Sequence, residues 1–319
     1  MKKILSMICA ALMLLAGTGC EKTIEFKGEE TRPCLTVSSE AEAGQPLEVY
    51  VASSLFFLAN EKGGAAFTEG LDTLRGQVRC YVNGEKEPKR LTLHADENNL
   101  TGLRYVSDDF APAPGDRLRL EAEFPGFDPV WAETTVPRMP AFQLISSKWH
   151  EMDRSNDYPF EEGEVYHELD LTMAVTDDPA YEKYYFVQPV LEQYFPYLEE
   201  MIRYSMTFTS NDILFRQMSG SNAMQLVDGD GNYFSDELVK GQRREFTITI
   251  SYVPQKEEDM HLYIHVAAVN ENLYWYDYSY SQLMGDMGLF SEGVTLYSNV
   301  NGGYGVFGAA ASQWLEVEW

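Results

Sequence analysis

Apolar and polar side chains alternate with a period of two in block after block, and this limits the chain's possible folds more than any other feature. Over residues 117–124, Leu118, Leu120, Ala122 and Phe124 point one way, while Arg117, Arg119, Glu121 and Glu123 point the other. Successive side chains of a strand leave opposite faces, so such a segment is a strand with one buried and one solvated face. Leu47, Val49 and Val51 repeat the pattern, as do Val78, Cys80 and Val82, and then Val130, Ala132, Thr134 and Val136. Asn83-Gly84 directly follows the third of these segments. Both residues tolerate positive φ, so a hairpin is expected there, with a return strand through Leu91 and Leu93. Pro114-Gly115 marks a further turn. Nothing between 31 and 137 has helical periodicity. Short strands separated by turns at this spacing predict an immunoglobulin-like β-sandwich over 31–137.

Pro137-Arg138-Met139-Pro140 interrupts the alternation, and two prolines do not fit inside a sheet ladder. The expected boundary lies here, with a second, β-rich domain over 141–319. A polar stretch, 151–164, precedes eleven alternating residues from Val165 to Val175. Further strands are expected at 183–191, 203–209, 245–253 and 261–269. The segment 270–284 differs. Asn270 suits a helix N-cap, and Leu273, Tyr276, Tyr280 and Leu283 recur at spacings of three to four. This predicts one helix with those four residues inward and Tyr274, Trp275 and Tyr278 nearer the rim. The glycine-rich stretch 301–312 suits a close-packed loop before a last strand, Trp314 to Val317. The expected class is mainly β: two β-sandwich-like domains, the first immunoglobulin-like, with one short helix in the second.

The amino terminus carries an export signal. Lys2 and Lys3 precede an apolar run, Ile4 to Ala16, that is too short to span a bilayer as a mature helix. Gly17-Thr18-Gly19-Cys20 follows, and small residues before a cysteine resemble a bacterial lipobox. Residues 1–19 are therefore expected to be a lipoprotein signal peptide, Cys20 the acylated first residue, and 20–30 a tether. The alternative is an ordinary secretory signal cleaved nearby. The mature chain then keeps Cys34 and Cys80, either as buried thiols or as a disulfide that export would permit. The 24 Lys and Arg stand against 50 Asp and Glu, a net charge of −26, which excludes a nucleic-acid partner. A mean hydropathy of −0.30 and a single short apolar run exclude a multi-span membrane protein.

Several segments in order resemble a lipoprotein family of Bacteroidetes known as domain of unknown function 4249. They are Cys20-Glu21-Lys22 with Ile24, the segment from Asp177 to Tyr185, Ser210-Asn211-Asp212, and Phe234-Ser235-Asp236-Glu237-Leu238 before Gly241. Asn270 to Tyr278 and Tyr297-Ser298-Asn299-Val300, running into Gly302 to Gly308, complete the set. The resemblance implies an outer-membrane, lipid-anchored protein, often associated with TonB-dependent nutrient transporters. It leaves open whether the chain faces the cell surface or the periplasm. It supplies no catalytic residue.

The remaining chemistry is sparse. His261 and His265 stand four apart, but in an alternating segment that spacing spans about 13 Å, too far to hold one ion. His167 falls on an apolar face and is expected to be a hydrogen-bonded core residue. Asp228-Gly229-Asp230-Gly231-Asn232 resembles the start of a calcium loop, with Asp236 further on. Tyr233 and Val239 occupy the positions where an EF-hand needs Gly and Glu, which favours a hairpin loop. No nucleophile elbow, phosphate loop or dinucleotide fingerprint occurs. No cofactor or metal site is assigned. Contact area is what remains, and the densest supply is the aromatic run around Tyr274, Trp275 and Tyr278. The expectation is a non-enzymatic binding subunit for a small molecule, peptide or glycan, with those three residues as ligand or partner contacts. Alternatives are a structural or adhesive surface lipoprotein and, less favoured, a secreted hydrolase.

Overall fold

Alternation becomes pleated sheet along the chain. The computed structural model describes residues 32–54, 68, 70–94, 102–139, 141–151, 166–180, 184–216, 232–254, 259–285 and 295–318. The signal segment, Cys20, the tether and residues 228–231 lie outside the described residues, as does almost all of 151–164. In the first half, β1 (Leu35–Glu42), β2 (Glu48–Ser53), β5 (Thr92–His94) and β6 (Leu103–Val106) pack against a second sheet. That sheet is formed by β3 (Gln77–Val82), β4 (Lys89–Arg90), β7 (Arg117–Glu123) and β8 (Val130–Thr135), in the order β4-β3-β7-β8. Leu35, Val37, Val49 and Val51 meet Val78, Cys80, Leu118 and Leu120 between the two layers.

The second half repeats the arrangement. β9 (Ala141–Glu151), β10 (Tyr166–Thr176), β13 (Phe208–Thr209) and β15 (Arg243–Pro254) form a sheet in the order β13-β15-β10-β9. It packs on β11 (Tyr184–Phe195), β12 (Glu200–Ser205), β14 (Asn232–Ser235), β16 (Met260–Val269) and β17 (Tyr304–Val317). Leu169, Leu171, Met173, Ile248 and Ile250 bury themselves against Tyr185, Val187, Leu262, Ile264 and Val266. The fold is mainly β, and among the described residues it holds a single α-helix, α1 (Glu271–Gly285).

The two halves do not have separate sheets. β17 pairs in parallel with β1, from Thr36–Tyr304 to Glu42–Ala310. Its later part pairs antiparallel with β16, from Val269–Ala310 to Leu262–Val317. One nine-stranded sheet results, in the order β12-β11-β16-β17-β1-β2-β6-β5, with β14 also on β11. Phe307 and Ala309 of β17 enter the first core and Val317 enters the second. The prolines at 137 and 140 therefore do not divide two independent sheets, and Pro33–Trp319 forms one compact unit. The cause is long-range. β1 presents an open edge that needs a partner, and the last strand of the chain supplies it.

This pairing also corrects the expected loop at 301–312, because most of that stretch is strand. A Cβ on Gly305 would lie 1.8 Å from the Val37 carbonyl oxygen, and one on Gly303 would lie 2.2 Å from that of Leu35. The glycines therefore mark close approach of two backbones, not a turn. The Asn83-Gly84 turn forms with φ of 53° and 76°. Its return ladder is only Arg79–Arg90 and Cys80–Lys89, and Leu93 joins β6 in the other sheet. The expected strand at 203–209 breaks at Met206, whose N–H donates to the Pro189 carbonyl at 2.8 Å. His167 is half-buried, not a core residue, because it lies at the start of β10, at the margin of the second core. Its ring meets Trp149 edge-on at 6.0 Å.

Helix α1 begins where expected. Asn270 Oδ1 accepts the Leu273 N–H at 3.1 Å, capping the first turn. The face it buries is not the expected one. Leu273 and Tyr274 are buried, while Tyr280 and Leu283 are 48% and 38% exposed. Tyr274 stacks on Tyr184 with centroids 3.8 Å apart and planes 5° apart. Tyr233 Oη donates to Asp277 Oδ2 at 2.5 Å. These two contacts set the helix rotation. A run of tyrosines is amphipathic all round and does not single out a face by spacing alone.

Candidate functional site

The parity of β17 defines the site. Phe307, Ala309 and Val317 feed the two cores from one face, so Gly308, Ala310, Ser312 and Trp314 lie on the other. Register carries this outer face across the sheet. Glu40 lies beside Gly308, Glu42 beside Ala310, His265 beside Trp314, and Gln188 beside His265. α1 covers part of it. Leu273 and Tyr274 pack with Tyr233, Ala267, Val269 and Ala310 into a third small core. A Cβ on Gly308 would lie 2.7 Å from that of Leu273, so the helix needs this glycine in order to settle on the sheet.

Another part of the face is an open groove of 610 Å³, within the size range of small-molecule sites. Glu40, Glu42, Glu48 and Tyr50 line one side, and His265 and Trp314 the other. The His265 and Trp314 rings stack with centroids 4.4 Å apart. Phe186 meets His265 at 5.5 Å and Tyr263 meets Trp314 at 6.1 Å, so an aromatic row backs the wall. Arg203 caps the Trp314 ring at 5.1 Å while its Nε donates to Glu192 at 2.7 Å. Burial, and then Arg203, push the His265 imidazole down to about 4, so it is neutral at physiological pH.

The carboxyls differ in state. Glu48 forms a paired contact with Arg104, at 2.5 and 3.0 Å, and the hydrogen bond to Arg104 holds it below the usual carboxylate range. Glu42 Oε1 accepts the Ser312 N–H at 3.0 Å and the Ser312 hydroxyl at 2.8 Å. Burial, then Glu42 and Asp277, push the Glu40 carboxyl up to about 7. Burial pushes Asp277 up to about 6 despite the Tyr233 hydrogen bond. A larger hollow of 680 Å³ lies between the Asn83-Gly84 turn and the start of α1. Its Arg119 is already held by Glu121, Glu133 and the ring of Trp131.

The residues singled out by sequence are dispersed. Tyr274 belongs to the third core and Tyr278 is half-buried beside it. Trp275 is 37% exposed, with its indole N–H on Glu271 Oε1 at 3.2 Å. His261 and His265 act separately, His261 beside Glu316 at 3.6 Å and His265 on Trp314. Among the described residues no three metal-ligating groups converge. Cys34 and Cys80 are unpaired thiols. Cys34 Sγ lies 3.3 Å from Ser54 Oγ, and burial pushes Cys80 up to about 12. Glu40, Glu42 and Trp314 were not singled out by sequence, because outward positions in an alternating strand carry no mark beyond polarity or size.

The segments that carry the resemblance are joints. Asn270 donates to Thr134 Oγ1 at 2.5 Å, and its Oδ1 also accepts the Ala309 N–H at 3.1 Å. Asn299 spans Glu133 and Phe307, and Asn272 accepts the Tyr297 hydroxyl at 2.9 Å. These asparagines staple α1 and β17 to β8 across the two halves. Asp177 accepts the Tyr185 hydroxyl at 2.5 Å and the Gly241 N–H at 2.7 Å, tying two further matched segments together.

No curated protein matches the chain. A solved structure described as "Biofilm associated protein - BSP domain" aligns at 7% identity and a TM-score of 0.16. The alignment covers 92% of this chain and 62% of that one, so this chain spans less than two thirds of that protein's length. The family model described as Domain of unknown function (DUF4249) matches residues 21–314, nearly the whole described fold, and the chain belongs to that family.

Proposed function

We propose that this protein is a non-enzymatic binding lipoprotein. It is anchored to the outer membrane through Cys20 and captures a ligand as an accessory of a TonB-dependent nutrient transporter. The observation that carries the binding role is the outer-face groove. It has a workable volume, an aromatic wall, and carboxyls fixed on paired strands. Sites built on strands hold their groups more firmly than sites on loops. The anchor rests on the lipobox, and the transporter rests on the family resemblance.

The test is affinity purification of the tagged, full-length protein from native membranes. A TonB-dependent transporter is expected to co-purify, and Cys20→Ala is expected to move the protein to the soluble fraction. Co-purification of surface-layer or adhesion proteins alone would favour the structural reading. That second reading has one observation behind it: the tip of the β11–β12 hairpin exposes Tyr197 at 77%, with Leu198 and Met201 beside it.

A further inference from the structure

β12 stands at one end of the nine-stranded sheet and leaves an open edge. Its strand neighbour among the described residues is β11, with which it pairs from Val190–Ser205 to Phe195–Glu200. In an antiparallel ladder the backbone groups of alternate residues point away from that neighbour, so β12 offers a row of N–H and C=O groups outward. Five of its six residues are exposed. Such edges are ordinarily blunted by a bulge, a lysine, a proline or a cover. β9 steps from Ser146–Thr172 to Leu144–Met173, leaving Ile145 as a bulge, and carries Lys148. β8 is closed by the bridge between Trp131 and Asn301 and by the Asn272 and Asn299 amides on the Glu133 carbonyl. β12 has no bulge, lysine or proline. Its one cation, Arg203, is turned back over the sheet, with Nε on Glu192 at 2.7 Å and the guanidinium over Trp314. Met201 and Tyr204 are left 46% and 40% exposed.

We infer that β12 is a self-association edge, on which β12 of a second copy adds antiparallel and extends the sheet across a two-fold axis. The residues of the edge fit this occupant. A two-fold axis normal to the sheet keeps every side chain on its own face, so the axis lies level with a residue and not between two residues. Level with Arg203, it would set two guanidinium groups opposite each other, and like charges directly opposite are unfavourable. Level with Ile202, it sets Ile202 against its own copy, Met201 against the stem of Arg203 of the second copy, and Glu200 against the Tyr204 hydroxyl of the second copy. No like charges then meet along the ladder. A bilayer as occupant would draw the exposed Glu199 and Glu200 into apolar surroundings at a cost. An edge of six residues is small beside the roughly 20 a side of a standard interface, so the pair is a dimer that separates on dilution. Confinement to one membrane through Cys20 would raise the effective concentration of the two copies. The dimer is compatible with either reading of function above.

The experiment is disulfide trapping of the full-length protein in its native membranes, with copper phenanthroline as oxidant. Ile202→Cys faces its own copy at a Cα separation of about 4.5–5.5 Å, inside the range a disulfide spans. It is expected to form a homodimer about tenfold faster than Leu74→Cys, which is more exposed but lies in a turn of the first half. Mass spectrometry of the linked peptides should show the bond between the two copies of position 202. Added to Ile202→Cys, Met201→Lys sets an ammonium opposite Arg203 of the second copy and should slow trapping about tenfold, whereas Met201→Glu sets a carboxylate there and should not slow it. Melting temperatures near that of the parent should show both variants folded. Trapping of Ile202→Cys no faster than that of Leu74→Cys, or equal trapping of the Lys and Glu variants in folded protein, would overturn the inference. A mixed disulfide with a different protein in place of the homodimer would overturn it too, and would give the edge to another partner.

Discussion

Asp277 holds its proton above the usual carboxyl range, at about 6, with burial the main cause. In the unfolded chain it ionises near pH 4. Between those limits the folded state binds more protons than the unfolded one, so stability falls as pH rises through the folded value. The contribution is fully present below about pH 4 and lost by about pH 7. The melting temperature should therefore drop from about pH 5 to about pH 8, and Asp277→Asn should flatten part of that slope. A variant with an unchanged slope would show that Asp277 titrates normally. Sequence did not reveal this residue. Asp277 sits among tyrosines with nothing to mark its bond to Tyr233. What makes it unusual is the packing of α1 over the sheet, a contact between segments far apart in the chain.

Among the elements, β17 and α1 carry the architecture. Gly305 has φ of +115°, and a Cβ there would fall on the Val37 carbonyl. Gly305→Ala should destabilise by about 3 kcal/mol or more in urea unfolding, since neither backbone can retreat without losing the β1–β17 ladder. A change under about 0.5 kcal/mol, the scale of ordinary surface substitutions, would mean the two strands do not approach so closely. Asn270→Ala should cost about 2 kcal/mol, combining a lost helix cap with lost contacts to Thr134 and Ala309. Strand positions, the start of α1 and the alternating core faces were legible because period two and N-cap chemistry are local. The strand at 304–312 was hidden by its own glycines, which usually signal loops. The helix face was hidden because Tyr274, Tyr276, Tyr278 and Tyr280 offer similar apolar area in every direction.

In the whole molecule, one sheet carries two cores on one face and the groove with α1 on the other. The Pro137–Pro140 segment suggested two bodies, because local patterns do not report that the last strand returns to the first. Calorimetry should therefore show one cooperative unfolding transition for the full chain. Two separated transitions would mean the halves are energetically independent despite the shared sheet. The central claim is that the ligand sits in the outer-face groove and not on the aromatic helix. The most direct measurement is mass spectrometry of small molecules released from protein purified out of its native membranes. Three forms would be compared: wild type, Trp275→Ala, and Glu42→Gln combined with Trp314→Ala. The same small molecule should be released from wild type and from Trp275→Ala and be missing from the groove variant. A ligand retained by the groove variant and lost from Trp275→Ala would contradict the assignment and return the site to α1.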